Sequence, residues 1–155
     1  MSANDWSFET KQIHAGYDID PATGATALPI YQTSAYAFED TAQAASRFAL
    51  QELGPIYSRL NNPTIDAVAS RIAALEGGVG GLLVSSGQSA TALTLLALAV
   101  AGNNIVASPS LYGGTVTLLK NTLGRLGIET RFVPDPLDPE AWRALADDKT
   151  VAFFG

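Results

Sequence analysis

Short apolar runs alternate with helix-forming segments through the second half of the chain, and this alternation constrains the fold more than any other feature. The predicted strands are residues 81–85, 104–108, 128–133 and 150–154, and the predicted helices are residues 88–101, 112–126 and 139–146. Such alternation is typical of βαβ units around a mainly parallel sheet. The sequence therefore predicts an α/β fold. Because the chain stops directly after a strand, we expect it to be the N-terminal part of a larger protein.

The first 60 residues have a different character, being rich in Pro, Gly, Thr, Tyr and Gln with weak periodicity. One short helix is predicted, near residues 41–50. A long irregular segment is usually functional or lies on a partner. We therefore predict that residues 1–60 are an N-terminal arm contacting a neighbouring subunit, and that residues 61–155 are the first part of a large domain.

A helix is predicted to begin directly after Asn62, which can cap it, with Pro63 at the first helical position. Gly77 is expected to end this helix. The apolar residues at helical spacing, which fall on one face of this helix, are Ile65, Val68, Ile72 and Leu75.

Charge and composition exclude several classes of function. The net charge is −6, whereas nucleic-acid-binding domains are usually basic. The chain has no cysteine, and its single histidine, His14, cannot form a histidine metal cluster alone, so no metal site is expected. The longest apolar run, residues 90–101, is shorter than the roughly 20 residues that span a bilayer. With no targeting signal visible, we expect a cytoplasmic protein that binds neither nucleic acid nor membrane.

The turn Ser85-Ser86-Gly87-Gln88 follows a predicted strand and opens a predicted helix. Unpaired backbone N–H groups and the positive end of the helix dipole suit a phosphate at this position, and Gly87 lets the backbone approach it closely. The alternative is an ordinary strand-to-helix turn that Ser86 caps.

Two further groups of residues suit a phosphate-bearing cofactor. Tyr57 and Arg59 are two residues apart, so in an extended segment they project from the same side and could both donate hydrogen bonds to phosphate oxygens. Tyr112 follows the second predicted strand and could stack on an aromatic cofactor at the same sheet edge as Gly87. The alternatives are a surface arginine beside a half-buried tyrosine, and a tyrosine that packs over the sheet edge.

Several motifs occur together and in order along nearly the whole chain. They are QIHAG at 12–16, PIYQTSAYAFEDT at 29–41, GPIYSRLNNPT at 54–64, AALEGG at 73–78, SSGQSA at 85–90 and SLYGGT at 110–115. As a set they resemble the pyridoxal-phosphate (PLP) enzymes of Cys/Met metabolism, and within that family most of all the sulfhydrylases that act on O-acetylhomoserine. The resemblance implies the PLP-dependent transferase fold of the aspartate-aminotransferase type (fold type I). That fold has a mainly parallel sheet with helices on both faces, and it is incomplete in this chain.

The resemblance also implies roles for the candidate residues. Ser86, Gly87 and Gln88 would bind the phosphate of pyridoxal 5'-phosphate, Gly87 and Gln88 through their backbone N–H groups. Residues 61–155 would be the first part of the PLP-binding large domain.

The remaining candidates would act across subunits and on the cofactor ring. Tyr57 and Arg59 would reach the cofactor phosphate of a neighbouring subunit in a homo-oligomer, expected to be a tetramer of tight dimers. Tyr112 would stack on the pyridine ring and is the candidate catalytic residue, with its phenol handling a proton.

The reaction that the resemblance implies is a γ-replacement on O-acetylhomoserine with sulfide or a thiol, giving homocysteine or methionine and acetate. The family places its Schiff-base lysine beyond residue 155, so activity is expected only when a C-terminal part completes the chain. The alternatives are a cystathionine γ-synthase or a cystathionine or methionine lyase of the same family, and a non-catalytic structural fragment. Gly114 stands where methionine γ-lyases usually carry a cysteine, which weakens that option.

Overall fold

The computed structural model describes residues 6–155, so the first five residues of the predicted arm lie outside the described range. The chain forms two compact units, one ending at Leu83 and the other running from Val84 to Gly155. The predicted arm of residues 1–60 is defined by contact with a neighbouring subunit rather than by compactness, so the boundary at residue 60 stays a prediction.

The first unit contains three helices, α1 (Phe8–His14), α2 (Thr41–Phe48) and α3 (Pro63–Glu76). Each begins after a polar residue whose side chain accepts a hydrogen bond from a backbone N–H of the first turn; these residues are Ser7, Asp40 and Asn62. Pro63 occupies the first turn of α3, and Gly77 ends that helix in a left-handed conformation. The predicted bounds of α2 and α3 are confirmed.

Within this chain, the apolar face of α3 is not the buried one. Its buried residues are Ala67, Ala69 and Ala73, whereas Ile65, Val68 and Ile72 are 41–46% exposed. The reason is close backbone approach, which leaves room only for small side chains. A Cβ on Gly16 would lie 2.3 Å from the carbonyl oxygen of Ala67, and one on Gly81 would lie 2.8 Å from that of Ala69.

Residues 15–34 contain neither helix nor strand, and hydrogen bonds tie them to the segment around α3. Arg71 Nε donates to the carbonyl oxygen of Ala15 at 2.7 Å. Thr64 Oγ1 donates to the carbonyl of Pro29 at 3.1 Å and accepts from the amide of Tyr31 at 3.0 Å. These bonds make the irregular segment part of the first compact unit.

The second unit is built on a parallel sheet of three strands, β1 (Asn104–Ala107), β2 (Glu129–Phe132) and β3 (Thr150–Phe154), in the order β2-β1-β3. In register, Ile105 lies opposite Thr130 of β2 and Ala152 of β3. The helices are α4 (Gly87–Leu98), α5 (Gly113–Thr117), which continues into π-helical turns at Leu118–Leu123, and α6 (Pro139–Ala144). The parallel α/β architecture, including the strands predicted near residues 104, 128 and 150, is confirmed.

Residues 81–85 do not form the predicted strand. A strand requires a hydrogen-bonded neighbour, and this segment pairs with none of the three strands of the described sheet. Its apolar character is real, but Leu82 is exposed.

The core of the second unit packs α4 and the α5 helix against β1. Its buried residues are Leu95, Ala99, Ile105, Ala107, Leu119, Leu123 and Ile128. The leucine spacing in residues 112–126 predicts that Leu119, Leu123 and Leu126 face inward. Leu119 and Leu123 do, but Leu126 is exposed because the chain turns at Gly127, whose φ is +79°. The apolar, Ala/Leu-rich sequence of residues 88–101 predicts a helix that is buried on nearly all sides, whereas within this chain Leu95 is the one buried residue of α4.

A polar network joins the N-terminal ends of the three strands. Asp147 Oδ1 accepts from the Asn104 side-chain amide at 2.7 Å, and Asp147 Oδ2 accepts from Arg131 at 2.8 Å. Thr150 Oγ1 donates to Asn104 Oδ1 at 2.7 Å. The Asp147-Asp148 pair in the sequence predicts a solvated loop, whereas these hydrogen bonds fasten Asp147 to the sheet. Within residues 6–155, no helix is both long and apolar enough to span a bilayer.

Candidate functional site

The start of α4 presents backbone donors on a rigid support. Ser86 caps the helix, because its Oγ accepts from the amide of Ser89 at 3.1 Å. Gly87 and Gln88 occupy the first turn, where the helix offers no acceptor for their N–H groups. A side-chain carbon on Gly87 would meet no heavy atom of the described chain within 4 Å. Ser86 therefore does cap the helix, and the backbone N–H groups of Gly87 and Gln88 are still available to an anion.

The turn that follows β1 carries Tyr112, immediately before α5. The carbonyl oxygen of Tyr112 accepts from the amides of Thr115 at 2.8 Å and Val116 at 3.1 Å. Its side chain projects outward, and the residue is 75% exposed. The ring lies against Gly114, where an added Cβ would be 2.6 Å from Tyr112 Cε1.

A hydrogen bond joins these two parts of the site. The side-chain amide of Gln88 donates to Thr115 Oγ1 at 2.9 Å, and Thr115 is buried. The start of α4 and the Tyr112 turn therefore lie side by side, although only the Tyr112 turn follows a strand of the sheet.

Tyr57 and Arg59 belong to the first unit. The Arg59 guanidinium carbon lies 5.6 Å from the centre of the Tyr57 ring, so the two side chains do project together. An antiparallel bridge between Ala35 and Tyr57 supports this segment, and the amide of Ser58 donates to the carbonyl of Ser34 at 2.9 Å. Both side chains are exposed. They line a cavity of about 300 Å³, whose other walls include Phe38, Phe48 and Ile56.

Sequence reasoning missed Thr115 and the use of the Gln88 side chain. The two residues are 27 positions apart, so no local pattern connects them. The sequence holds one indication that Gln88 and Thr115 are close, because their turns were expected at the same edge of the sheet. Among residues 6–155, no group of His, Asp and Glu side chains is arranged to hold a metal ion.

The donor set suits a phosphate bound to an aromatic ring. Two helix N-terminal amides stabilise an oxyanion, and an exposed tyrosine one hydrogen-bonded turn away offers an aromatic face. The chain is therefore an α/β protein in which a helix start and an exposed tyrosine lie together in an arrangement suited to a phosphorylated aromatic cofactor. Residues 9–155 match the family model described as Cys/Met metabolism PLP-dependent enzyme, and the chain belongs to that family. The predicted family and its PLP cofactor are thereby confirmed.

The chain is similar to O-acetyl-L-homoserine sulfhydrylase of Corynebacterium glutamicum, with 54% identity over 99% of this chain and 35% of that protein. It also matches a crystal structure of a Campylobacter jejuni protein described as an O-acetylhomoserine (thiol)-lyase, which contains N'-pyridoxyl-lysine-5'-monophosphate. The TM-score is 0.90 with 44% identity, covering 97% of this chain and 37% of that one.

A third match is cystathionine gamma-lyase of Lactobacillus plantarum complexed with L-serine. The TM-score is 0.82 with 35% identity, covering 96% of this chain and 36% of that one. These structures confirm the predicted fold class. The chain spans about a third of the length of the relatives it matches.

Proposed function

We propose that this chain forms part of a PLP-dependent enzyme of methionine biosynthesis that converts O-acetylhomoserine and sulfide into homocysteine and acetate. The structural observation that best supports this proposal is the hydrogen bond between Gln88 and Thr115. It holds a helix start suited to a phosphate beside an exposed tyrosine. The choice of substrate is supported by 54% identity with a protein named for this reaction. When bound, PLP draws electrons away from the substrate amino acid, which allows the γ-substituent to be replaced.

Residues at the start of α4 would hold the cofactor phosphate. The amides of Gly87 and Gln88 donate to its oxygens, and the helix dipole favours its negative charge. Ser86 already accepts a hydrogen bond from the Ser89 amide, and as a hydroxyl it can also donate one to the phosphate. This arrangement fixes the phosphate end of the cofactor without a metal ion.

Tyr112 would orient the cofactor ring by stacking, and its exposed phenol would move a proton of the substrate. Tyr57 and Arg59 would add charge-assisted hydrogen bonds to the phosphate of a neighbouring subunit's cofactor. This role requires a homo-oligomer, which we propose to be a cytoplasmic tetramer of tight dimers. The covalent lysine would come from a C-terminal part of the same protein, because the relatives are about three times as long as this chain.

The test is a reconstitution of the full-length protein that contains this chain. We expect the purified protein to bind PLP and to release homocysteine and acetate from O-acetylhomoserine and sulfide. Parallel reactions use O-succinylhomoserine as the donor and cysteine as the sulfur nucleophile. Formation of cystathionine from cysteine in preference to homocysteine from sulfide would assign the protein to the synthases of the family. Absence of PLP binding would identify a non-catalytic structural fragment. Sedimentation of the holoenzyme tests the proposed tetramer.

A further inference from the structure

Tyr112 is the candidate residue with the least support from its own side chain. It is mostly exposed, and its phenol makes no hydrogen bond within the described residues. It stands at the N-cap position of α5, but its side chain makes no capping hydrogen bond. A ring that stacks on a cofactor must keep one orientation, so the backbone turn that carries Tyr112 has to be held from elsewhere.

Thr115 supplies that support on the side of the turn. Its amide donates to the Tyr112 carbonyl oxygen at 2.8 Å, while its hydroxyl accepts from the Gln88 side chain at 2.9 Å. Thr115 is only 6% exposed, so its hydroxyl has no ready replacement partner in water. The connection from Gln88 to Tyr112 thus passes through one buried residue.

Gly114 makes the ring sensitive to the position of this turn. With no Cβ, it allows the Tyr112 ring to lie directly on its backbone, at a distance that any side chain would prevent. A shift of Thr115 would move Gly114 and would therefore change where the ring can rest.

We propose that Gln88 is a positioning residue for Tyr112. Its backbone N–H faces the anion, while its side chain holds Thr115 and thereby orients the turn from which the tyrosine ring projects. The expected effect on turnover rests on the proposed function, whereas the expected effect on the orientation of Tyr112 does not. Gln88 would thus act twice in the site: its backbone would bind the anion, and its side chain would hold the turn that carries Tyr112.

The experiment uses the full-length protein labelled with 3-fluorotyrosine, and the ¹⁹F resonance of Tyr112 is assigned by its loss in Tyr112→Phe. Gln88→Met keeps the length of the side chain and removes the donor, and Thr115→Val keeps the shape and removes the acceptor. Thr115→Ser retains the hydroxyl and should rescue. Thr117→Val is the matched control. Thr117 is exposed on the same helix, and the Gln88 side chain donates its hydrogen bond to Thr115 instead.

We expect Gln88→Met and Thr115→Val to shift or broaden the Tyr112 resonance in both the apo and the PLP-loaded protein. Each should lower kcat about three- to tenfold, the range of one hydrogen bond. The PLP dissociation constant should stay within about twofold, since backbone amides bind the phosphate. The double variant should be no worse than either single variant. Thr115→Ser and Thr117→Val should resemble the unmodified protein.

Three results would overturn the inference: an unchanged Tyr112 resonance in both variants, additive losses in the double variant, or weaker PLP binding confined to Gln88→Met. The last result would mean that the Gln88 side chain touches the cofactor itself. If the unmodified protein neither binds PLP nor makes homocysteine, the proposed function fails. The ¹⁹F measurements on the apo protein still decide the role of Gln88 in that case.

Discussion

At the scale of single residues, Arg59 offers a positive charge that no carboxylate neutralises within the described part of the chain. We expect Arg59→Ala to weaken PLP retention, because the proposed charge-assisted hydrogen bond to the cofactor phosphate of a neighbouring subunit would be lost. The loss should be about 1.5–3 kcal/mol, or roughly ten- to hundredfold in the dissociation constant. Equilibrium dialysis of the full-length holoenzyme measures it. Arg125→Ala, at another exposed arginine, controls for charge, and equal affinity in both variants would contradict the role of Arg59.

Tyr112→Phe separates the aromatic ring from its hydroxyl. Because the ring is retained, we expect the PLP dissociation constant to change by less than about twofold. If the phenol moves a proton in the reaction, kcat should fall by about a hundredfold or more. Steady-state kinetics and PLP titration give the two values. Tyr17→Phe removes a buried hydroxyl that has no hydrogen-bond partner among residues 6–155, and it should leave kcat unchanged. Full activity of Tyr112→Phe would remove the phenol from the mechanism.

Gly16 is required by both its conformation and its surroundings. Its φ is +82°, and an added Cβ would lie 2.7 Å from the Arg71 amide nitrogen as well as on the Ala67 carbonyl. A backbone conformation of this kind costs a non-glycine residue about 1–3 kcal/mol. We expect Gly16→Ala to destabilise the protein by more than this, because the added Cβ would also clash. Gly24→Ala is a matched control, because φ is +71° and a Cβ would have open space. Thermal unfolding should rank the two, and equal effects would show that packing against α3 is unimportant.

At the scale of secondary-structure elements, the charged network fixes the N-terminal ends of the strands. Hydrogen bonds from Arg131, from the Asn104 side chain and from the amide of Lys149 hold the pKa of Asp147 well below its usual range. A carboxyl with a lowered folded-state pKa stabilises the fold at pH values above its unfolded pKa, near 4. That contribution is lost as the pH falls, because the unfolded chain takes up the proton more readily.

The corresponding prediction concerns Asp147→Asn. We expect it to lower the midpoint of thermal unfolding at neutral pH and to make that midpoint less dependent on pH between about pH 4 and pH 2. Asp148→Asn changes the same charge one position along the chain, outside this network, and should leave the pH dependence intact. Parallel unfolding curves for Asp147→Asn and the unmodified protein across this range would refute the stabilising role of the carboxylate.

At the scale of the whole molecule, local sequence patterns predicted where helices and strands occur better than they predicted how those elements pack and pair. Alternating strands and helices were sufficient for the parallel sheet, and cap residues such as Asn62 and Gly77 were sufficient for the bounds of α3. These signals act within a few residues and therefore appear in the sequence. The strand predicted at 81–85 failed because pairing depends on a neighbour that no local pattern specifies.

Long-range contacts explain the other differences between prediction and structure. Within this chain, the buried face of α3 is set by the backbone of Gly16 and Gly81, which lie outside the helix, so apolar spacing within the helix did not identify it. For the candidate site, the Tyr112 turn was predictable from its place after a strand. The start of α4 was predictable from the capping residue Ser86, although the strand expected before it does not form. Their connection through Gln88 and Thr115 was not predictable, because it depends on side-chain geometry across 27 residues.

The apolar faces left open on this chain lead to a prediction about its length. Ile65, Val68 and Ile72 on α3, and Leu93, Leu96 and Leu98 on α4, are each about half exposed, in a chain with only 15% charged residues. Contiguous exposed apolar surface marks interaction sites. We expect residues 1–155 produced alone to bind the dye ANS and to form aggregates of mixed size in sedimentation experiments. The full-length protein should not bind the dye and should sediment as one species, the proposed tetramer. Leu93→Glu with Leu96→Glu should reduce dye binding by the short chain but destabilise the full-length protein, because there the α4 face would be covered. A short chain that is monomeric and does not bind the dye would contradict this prediction.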